Sequence, residues 1–368
     1  MPKICIVGTN MMNIYNHRLE LIKKLLSLSF DVFVVAPRGG EERKLEEMGV
    51  HFIDTPVDNR GTSIKNDLSL LRNLVRIFKK EKFDVVLTFY TKTNIYAGLA
   101  CRKTKTPYIA NITGLGTAVA NGGLMGRIML ILYSRAVKKA SMIFFQNQQN
   151  REFFKDHKIR PEIGRMLPGS GVDLNRYHPL DYPVNDSCEF LFVSRILREK
   201  GIEEYVEAAR RIKEKNPATK FHVVGPCEES HKQFIEQAEK EGVIVYHGKQ
   251  FDIHPFLERC HCTVFPSYYA EGMANVLLES AASARPIITT SLPGCGETVE
   301  DGKTGFVVEA RNADSLAQAM MKFIGLGSEA KKKMGLNGRR KMEREFNRKI
   351  VTDAYIEEIQ NIIERKLK

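Results

Sequence analysis

The chain of 368 residues has no uninterrupted apolar run long enough to span a bilayer, and it has no internal repeats or low-complexity segments. Its seven cysteines are irregularly spaced and do not form a disulfide framework. No signal peptide precedes the apolar run at residues 3–7, so we expect a reducing, cytosolic setting. The sequence also lacks a recognisable nucleic-acid module and aromatic-rich basic repeats, which weakens nucleic acid as a partner.

The sequence offers little that would hold a metal ion. Cys260, His261 and Cys262 look like part of a metal site, but no second pair lies at ligand spacing. Alternate residues of one strand point to opposite faces, which separates the two thiols. No Asp-x-Asp motif follows a predicted strand. We therefore predict no metal site.

Length and charge are the first positive features. A chain of 368 residues with 43% hydrophobic content is expected to form two domains. The net charge of +12 is uneven, because residues 1–180 hold 28 Lys and Arg against 15 Asp and Glu, whereas the remainder holds 28 against 29. An excess of basic residues in one half indicates nucleic acid, an anionic membrane surface or an anionic substrate as a partner.

Short apolar runs alternate with amphipathic helical segments along the whole chain. This pattern predicts an α/β protein with parallel sheets and crossover helices, in which ligands bind at the carboxyl ends of the strands. The predicted strands lie at 3–8, 31–36, 50–54, 84–89, 108–111, 142–146, 189–193, 221–225, 243–248, 262–265, 286–289 and 305–308. The predicted helices lie at 16–28, 41–48, 64–80, 124–140, 202–215, 276–284, 315–324, 329–346 and 347–368.

Polar residues follow three strands of the N-terminal half. Each of these loops taken alone is compatible with an ordinary connection, but three on one sheet edge favour a binding site. The glycines among them permit close approach of the backbone to a ligand. The candidates are Asn10, His17 and Arg18 after the first strand, Lys92 after the fourth, and Thr113, Gly114 and Gly116 after the fifth.

The segment 124–140 predicts an amphipathic basic helix. Apolar Met129 and Leu132 alternate with Arg127 and Arg135, and no acidic residue occurs anywhere from 102 to 150. Such a helix either packs its apolar face on its own sheet or lies on an anionic membrane. Both alternatives remain open from the sequence.

The C-terminal half contains two strand-to-helix turns with charged residues. After the strand 262–265, Glu271 and Gly272 lie at the mouth of a helix, and Glu279 follows eight positions later. Spacing alone is also compatible with a helix cap and a solvated glutamate. Arg195 and Lys200 flank a second turn, where two cations and helix N–H groups suit a diphosphate.

Together these segments resemble the donor-site signature of the retaining GT-B glycosyltransferases, specifically glycosyltransferase family four. The resemblance rests on the spacing of Glu271 and Glu279, on the segment 285–290, and on the Arg195 and Lys200-Gly201 pair. It implies two Rossmann-like, doubly wound domains facing across a cleft. The expected acceptor domain is 1–178, with the helix 347–368 packing back on it, and the expected donor domain is 179–346.

The resemblance also implies roles for individual residues. Arg195 and Lys200 would hold the donor's diphosphate, Glu271 would hold the sugar hydroxyls, and Glu279 would bind the ribose. We count Glu271, Arg195 and Lys200 as catalytic. The remaining expected donor contacts, with the last three placed near the nucleotide base, are Gly272, Met273, Ala274, Asn275, Gly225, Lys249, Gln250 and Ile253.

The chain departs from the family pattern in its N-terminal half. Many members have a glycine pair after the first strand and a histidine after the fifth, and this sequence has neither. We therefore assign no catalytic histidine. The nearest polar candidates are Asn10, His17 and Thr113.

The segments that follow the first, fourth and fifth strands resemble a subgroup of the family that extends lipid-linked glycans. In this subgroup a Gly-Leu-Gly loop follows the fifth strand, and residues 114–116 match it here. Asn147 also fits the pattern of this subgroup. The resemblance implies an enzyme that transfers an N-acetylhexosamine, with retention of configuration, from a UDP-sugar to a polyprenyl-diphosphate-linked saccharide. The closest similarity is to bacterial enzymes that add N-acetylgalactosamine α-1,3 to such carriers.

We expect that the protein requires no cofactor and no metal. We also expect it to lie peripherally on the inner face of the plasma membrane. The alternatives are a UDP-N-acetylglucosamine epimerase of the same fold, a phosphorylase that carries pyridoxal phosphate, and a non-catalytic sugar-nucleotide-binding protein.

Overall fold

The computed structural model describes residues 1–57, 63–114, 123–160, 164–184, 187–269 and 271–367. These residues form two compact units. The first unit comprises Met1–Ser170 and Lys349–Lys368, and the second comprises Gly171–Arg348. The division falls eight residues before the predicted boundary at 178/179, because Val172 and Tyr177 pack into the core of the second unit.

The first unit contains a seven-stranded sheet in which all neighbouring strands are parallel, in the order β3-β2-β1-β4-β5-β6-β7. Its strands are runs of Val, Ile and Phe with little alternation, as expected where both faces are covered. Their bounds are β1 Lys3–Val7, β2 Asp31–Ala36, β3 His51–Asp54, β4 Val85–Phe89, β5 Tyr108–Ile112, β6 Met142–Phe145 and β7 Arg165–Met166.

Helices cover both faces of this sheet. Their bounds are α1 Met11–Ser27, α2 Glu42–Glu47, α3 Ile64–Glu81, α4 Thr91–Thr104, α5 Gly123–Val137, α6 Gln148–Asp156 and, at the C-terminus, α13 Arg348–Leu367. One core contains α3, α4, α5 and α6, and the opposite core contains α1, α2 and α13. The C-terminal helix therefore packs on the first sheet, where the Tyr355 ring meets Phe144 edge-on at 5.0 Å.

The second unit contains a six-stranded parallel sheet in the order β10-β9-β8-β11-β12-β13. Its strands are β8 Glu189–Val193, β9 Lys220–Val224, β10 Val245–Tyr246, β11 Cys262–Phe265, β12 Ile287–Thr290 and β13 Gly305–Val308. Its helices are α7 Ile202–Lys215, α8 Lys232–Lys240, α9 His254–Arg259, α10 Asn275–Ala282, α11 Ala313–Ile324 and α12 Ser328–Lys341. The predicted α/β class with two parallel, doubly wound sheets is confirmed.

Several predicted boundaries were wrong. Helix α1 begins at Met11 rather than at Asn16, because the Asn10 side chain accepts a hydrogen bond from the Asn13 N–H and caps the helix. Helices α4, α6, α8 and α9 were missed. Strand β10 spans two residues instead of six.

Among the described residues, no helix combines the length and apolar character needed to cross a membrane. All seven cysteines fall within the described ranges, and each is a free thiol.

Candidate functional site: the carboxyl edges of the two sheets

Two connections at the carboxyl edge of the second sheet are joined through one carbonyl group. The Glu199 carbonyl accepts hydrogen bonds from the Tyr268 and Tyr269 N–H groups at 3.0 and 3.1 Å and from the Ser267 hydroxyl at 3.2 Å. Gly201 makes the close approach possible, since it has φ +79° and a Cβ there would lie 2.3 Å from the Pro266 carbonyl oxygen. The β8–α7 turn and the β11–α10 loop therefore form one platform.

This platform brings Lys200 and Glu271 together. The Lys200 ammonium donates a hydrogen bond to Glu271 Oε1 and forms an ion pair with it. The two side chains are only 8% and 17% exposed, and the ammonium lies 4.6 Å from the centre of the Tyr269 ring. A partly buried ion pair between a cation and a carboxylate is stronger than one on the surface because water screens it less.

A second glycine-dependent contact supports Glu271 from the other side. Gly294 has φ +81°, and a Cβ at this position would lie 2.7 Å from the Glu271 Cβ. The Gly294 carbonyl accepts the Ala274 N–H at 2.8 Å, and its own N–H donates to Glu297 Oε2 at 2.7 Å. Burial, with the Glu271 charge nearby, raises the pKa of the Cys295 thiol to about 12.

Helix α10 begins directly after this loop and has no acidic residue in its first turn. Met273, Ala274 and Asn275 were predicted to offer N–H groups to a diphosphate, but the Ala274 N–H is already bonded to Gly294. The Asn275 Oδ1 atom is buried and has no hydrogen-bond partner. Gly272 is buried within the same loop. The helix mouth thus retains an unsatisfied polar atom that a ligand hydroxyl suits.

Arg195 lies on the same turn as Lys200 but is more exposed. Its side chain is 52% exposed and sits 3.8 Å from the Glu228 carboxylate. The turn itself is fixed by the backbone, because the Ile196 N–H donates to the Pro226 carbonyl at 2.9 Å. An exposed pair at this distance is weak, so Arg195 can exchange Glu228 for an anionic ligand at little cost.

Glu279 lies one turn inside α10 and meets a different set of partners. Burial raises the pKa of its carboxyl group, while the charges of Arg348 and Arg176 and a hydrogen bond from the Tyr177 hydroxyl oppose that rise. The Tyr177 ring stacks on His254, with 4.6 Å between the ring centres and 10° between the planes. Burial thus favours the protonated form of Glu279, whereas the nearby cations favour the ionised form and oppose the rise in its pKa.

The connection after β10 has several of the residues expected near a nucleotide base. The Gly225 N–H donates to the Gly248 carbonyl at 2.8 Å, and a Cβ on Gly225 would lie 1.8 Å from the Ser194 carbonyl oxygen. Gly225 is therefore required for the close packing of β8 and β9. Lys249 lies 4.9 Å above the ring of Phe251, which is 77% exposed.

Gln250 and Ile253, the two other candidates for contact with the base, lie before the first residue of α9. The Gln250 amide donates to the His247 carbonyl at 2.7 Å. Ile253 is the N-cap residue of α9, and its carbonyl accepts the Leu257 N–H at 3.0 Å. Both positions are therefore fixed by the backbone of the loop.

At the edge of the first sheet, the predicted loop residues are mostly helical. Asn10 caps α1, and His17 and Arg18 lie inside that helix. Arg18 is only 4% exposed, lies 4.2 Å above the Phe89 ring and donates to the His17 carbonyl at 3.1 Å. The Arg18 side chain is therefore largely buried in the first unit.

Lys92 likewise lies in a helix, in the first turn of α4. Its ammonium contacts Asp67 Oδ1 at 2.8 Å, and the Tyr96 hydroxyl donates to Asp67 Oδ2 at 2.7 Å. Gly114, with φ +147°, follows Thr113 beyond the end of β5, and its carbonyl accepts the Thr91 hydroxyl at 3.2 Å. Gly116 lies outside the described residues.

Charged side chains thus follow parallel strands in both units, Lys92 in the first and Lys200 and Glu271 in the second. Residues 183–341 match the family model described as Glycosyl transferases group 1, and residues 3–147 match the one described as Glycosyl transferase 4-like. The chain belongs to the group 1 glycosyltransferases.

Three bacterial relatives of this glycosyltransferase cover most of its length. The N,N'-diacetylbacillosaminyl-diphospho-undecaprenol alpha-1,3-N-acetylgalactosaminyltransferase of Campylobacter jejuni is 26% identical over 83% of this chain and 85% of the relative. The capsular polysaccharide biosynthesis glycosyltransferase CapM of Staphylococcus aureus is 26% identical over 90% of each chain. An Escherichia coli UDP-Gal:alpha-D-GlcNAc-diphosphoundecaprenol alpha-1,3-galactosyltransferase is 24% identical over 93% of each.

Solved structures show the same GT-B fold. The Anabaena protein HepE, crystallised with UDP and glucose, superposes with a TM-score of 0.79 at 17% identity and covers 98% of this chain and 100% of its own. Sucrose-phosphate synthase from Thermosynechococcus elongatus gives a TM-score of 0.80 at 17% identity, with 99% and 100% covered.

Some residues around the glycosyltransferase site were not predicted from the sequence. Tyr177 and Arg348 both oppose the rise in the pKa of Glu279, yet Arg348 lies 69 positions away in a segment without a motif. The Glu199 carbonyl carries no sequence signal because any residue type supplies it.

Within the described ranges, one group of three side chains has ligand atoms close enough for a metal ion: Glu189, His222 and Cys260. The Glu189 carboxylate already meets Lys220 at 3.1 Å and Arg259 at 3.0 Å. Burial also raises the pKa of the Cys260 thiol, which favours its protonated form. These contacts oppose the binding of a further cation there.

Proposed function

We propose that this glycosyltransferase transfers an N-acetylhexosamine from a UDP-sugar to a polyprenyl-diphosphate-linked saccharide, with retention of configuration. The printed activities of the Campylobacter and Escherichia coli relatives, both on undecaprenyl-diphosphate-linked sugars, support this choice of acceptor. HepE, whose fold this chain shares, was crystallised with UDP. The biological process that corresponds to this reaction is the assembly of surface glycans or of the glycans of glycoproteins.

The Lys200–Glu271 ion pair is the observation that carries the proposal. It places a cation for the leaving diphosphate beside a carboxylate for the sugar hydroxyls, both largely shielded from water. As the bond to the sugar breaks, negative charge develops on the diphosphate, and Lys200 and Arg195 stabilise it. Two cations supply the charge that a divalent metal supplies elsewhere, so the proposed reaction is metal-independent and requires no cofactor.

In this proposal Glu279 accepts hydrogen bonds from the ribose, and the loop holding Lys249 and Gln250 contacts the uracil. The leaving phosphate takes the proton of the acceptor hydroxyl, so no separate general base is required. The remaining proposed donor contacts are Gly225, Gly272, Met273, Ala274, Asn275 and Ile253.

The first unit would bind the acceptor and the membrane surface. Helix α5 exposes Ile128 (44%) and Ile131 (51%), with Arg127 and Arg135 also exposed on the same helix. Apolar side chains between cations suit the interface of an anionic bilayer. We therefore place the enzyme at the cytoplasmic face of the plasma membrane, with the helix face of Arg127, Ile128, Ile131 and Arg135 as the contact.

A donor panel tests the proposal. Purified full-length protein is mixed with UDP-, GDP- and ADP-sugars in the presence of a chelator, and thermal stabilisation is measured. Donor consumption is then followed with and without a polyprenyl-diphosphate-linked saccharide. We expect a UDP-N-acetylhexosamine to stabilise the protein and to be consumed only when the lipid-linked acceptor is present.

The other outcomes identify the alternatives. Conversion of the donor without an acceptor indicates an epimerase, and binding of the donor without turnover indicates a non-catalytic binding protein. Absence of binding to any sugar nucleotide contradicts the proposed role of Lys200 and Glu271. Product anomers resolved by proton NMR test retention.

A further inference from the structure

We infer that Tyr269 is a positioning residue for Lys200, and that the face of its ring retains the Lys200 ammonium in the site when a diphosphate draws it away from Glu271. This inference rests on the proposed function, in which Lys200 binds the diphosphate of the donor. The ring acts through that cation and takes no part in the reaction itself.

The Lys200 ammonium contacts a carboxylate and two aromatic rings. It donates a hydrogen bond to Glu271 Oε1, and it lies 4.6 Å from the centre of the Tyr269 ring and 5.7 Å from that of the Phe265 ring. The lysine side chain is only 8% exposed. Because the attraction between a cation and the face of an aromatic ring is stronger where water is excluded, the nearer ring, that of Tyr269, holds the charge effectively.

The backbone of Tyr269 is fixed to the residue that precedes Lys200. The Tyr269 N–H donates to the Glu199 carbonyl at 3.1 Å and to the Ser267 hydroxyl oxygen at 3.2 Å. The Ser267 hydroxyl donates to the same Glu199 carbonyl at 3.2 Å. The loop that carries the ring and the turn that carries the ammonium are therefore joined at adjacent residues, which keeps the ring beside the ammonium.

The ring and Glu271 respond differently to a diphosphate. An ammonium has three N–H donors on a flexible stem, and its hydrogen bond to Glu271 competes with a bond to a phosphate oxygen. The ring attracts the charge through its face, so this attraction persists while the N–H groups turn to the phosphate. Burial and the charge of Glu271 raise the pKa of the Tyr269 phenol, which therefore stays neutral at pH 7. The ring thus restricts the ammonium without competing for the diphosphate.

A double-mutant cycle tests the inference. Calorimetry measures the affinity for UDP of wild type, Tyr269→Leu, Lys200→Ala and the double variant. Because a cation–π contact shielded from water contributes a factor of about ten or more, we expect Tyr269→Leu to lose about tenfold in UDP affinity. In the Lys200→Ala background the same substitution should change UDP affinity by no more than about twofold, because the cation that the ring holds is gone.

Two further substitutions separate the ring from the hydroxyl and from the loop. Tyr269→Phe keeps the ring and should keep UDP affinity and turnover within about twofold of wild type, whereas Tyr269→Leu should lower both. Tyr268→Leu is the matched control, because the Tyr268 N–H donates to the same Glu199 carbonyl at 3.0 Å but its ring lies 4.5 Å from the Arg311 guanidinium. Any effect of Tyr268→Leu on UDP affinity should be the same with and without Lys200.

The possible failures are distinct. A wild-type protein that binds no UDP contradicts the proposed function, and the inference falls with it. If wild type binds UDP but Tyr269→Leu weakens binding equally with and without Lys200, the ring supports the loop rather than the ammonium, and the inference is wrong. Equal losses in Tyr269→Phe and Tyr269→Leu assign the effect to the hydroxyl and also overturn it, as do wild-type affinity and turnover in Tyr269→Leu.

Discussion

Lys200 and Glu271 form a direct ion pair, although 71 positions separate them in the chain. Each was expected to face the donor, and in the structure the two side chains pair with each other. The pairing avoids the large cost of leaving either charge partly buried and alone. A bound diphosphate would have to draw the ammonium toward itself, so donor binding and the arrangement of Glu271 are linked.

Replacement of Lys200 by alanine tests this link. We expect the turnover number of Lys200→Ala to fall by about 10²–10³-fold, because the stabilisation of charge on the leaving diphosphate is lost. Lys215→Ala, at the exposed end of α7, is the matched control and should remain active. Steady-state kinetics and circular dichroism separate catalysis from folding. A folded Lys200→Ala protein with near-normal turnover contradicts the assigned role.

Gly294 tests how strictly Glu271 must be placed. Gly294→Ala adds a Cβ that would meet the Glu271 Cβ at 2.7 Å, so the carboxylate must move and activity should fall by at least about tenfold. Gly302→Ala is the control, because Gly302 also has positive φ (+73°) but nothing within 4 Å of the added atom. The positive φ destabilises both variants by about 1 kcal/mol through backbone strain, and thermal unfolding measures this loss. Equal activity in the two variants would show that the contact is unimportant.

The sequence predicted the strands well because their apolar runs are local signals. Segments such as 3–7 and 189–193 are strands within one residue of the prediction. Helix α4 was missed for the opposite reason: residues 93–98 are buried without interruption, so no polar stripe marks a helical period. The cap at Asn10 was missed because no acidic residue follows it in the first turn.

In the candidate site, too, the sequence predicted local features but not the contacts between distant segments. Lys200 and Glu271 stand out in the sequence, but their contact depends on three hydrogen bonds to the Glu199 carbonyl, which no side-chain pattern encodes. Arg348 gave no signal, since the bond that fixes it joins it to the Gly171 carbonyl, 177 positions away. Motifs therefore named the charged groups, whereas tertiary contacts determine how those groups are held.

Acid should destabilise the second unit through His261. Burial lowers the pKa of this side chain to about 4, and its Nδ1 accepts the Glu189 N–H at 3.1 Å. The unfolded chain binds the proton near pH 6.5, so stability falls as the pH decreases from about 6.5 to 4. Between pH 7 and 5 the loss amounts to about 2 kcal/mol.

Urea unfolding of His261→Asn checks this expectation. Asparagine retains an acceptor but does not titrate, so its stability at pH 5 relative to pH 7 should fall by about 2 kcal/mol less than that of wild type. His178→Asn, at an exposed position of the same unit, should keep the wild-type pH dependence. An unchanged pH dependence in His261→Asn contradicts the assignment.

Membrane contact through α5 is tested by sedimentation with vesicles. The double variant Ile128→Ser/Ile131→Ser removes the two exposed apolar side chains, and we expect its binding to vesicles of anionic phospholipid to fall about tenfold or more. Leu336→Ser, which alters a side chain 38% exposed on α12, should bind as wild type does. Higher salt should also weaken wild-type binding, because it screens Arg127 and Arg135 from the lipid charge. If the double variant sediments like wild type, another surface of the first unit makes the contact, or the enzyme meets its lipid-linked acceptor without binding the bilayer.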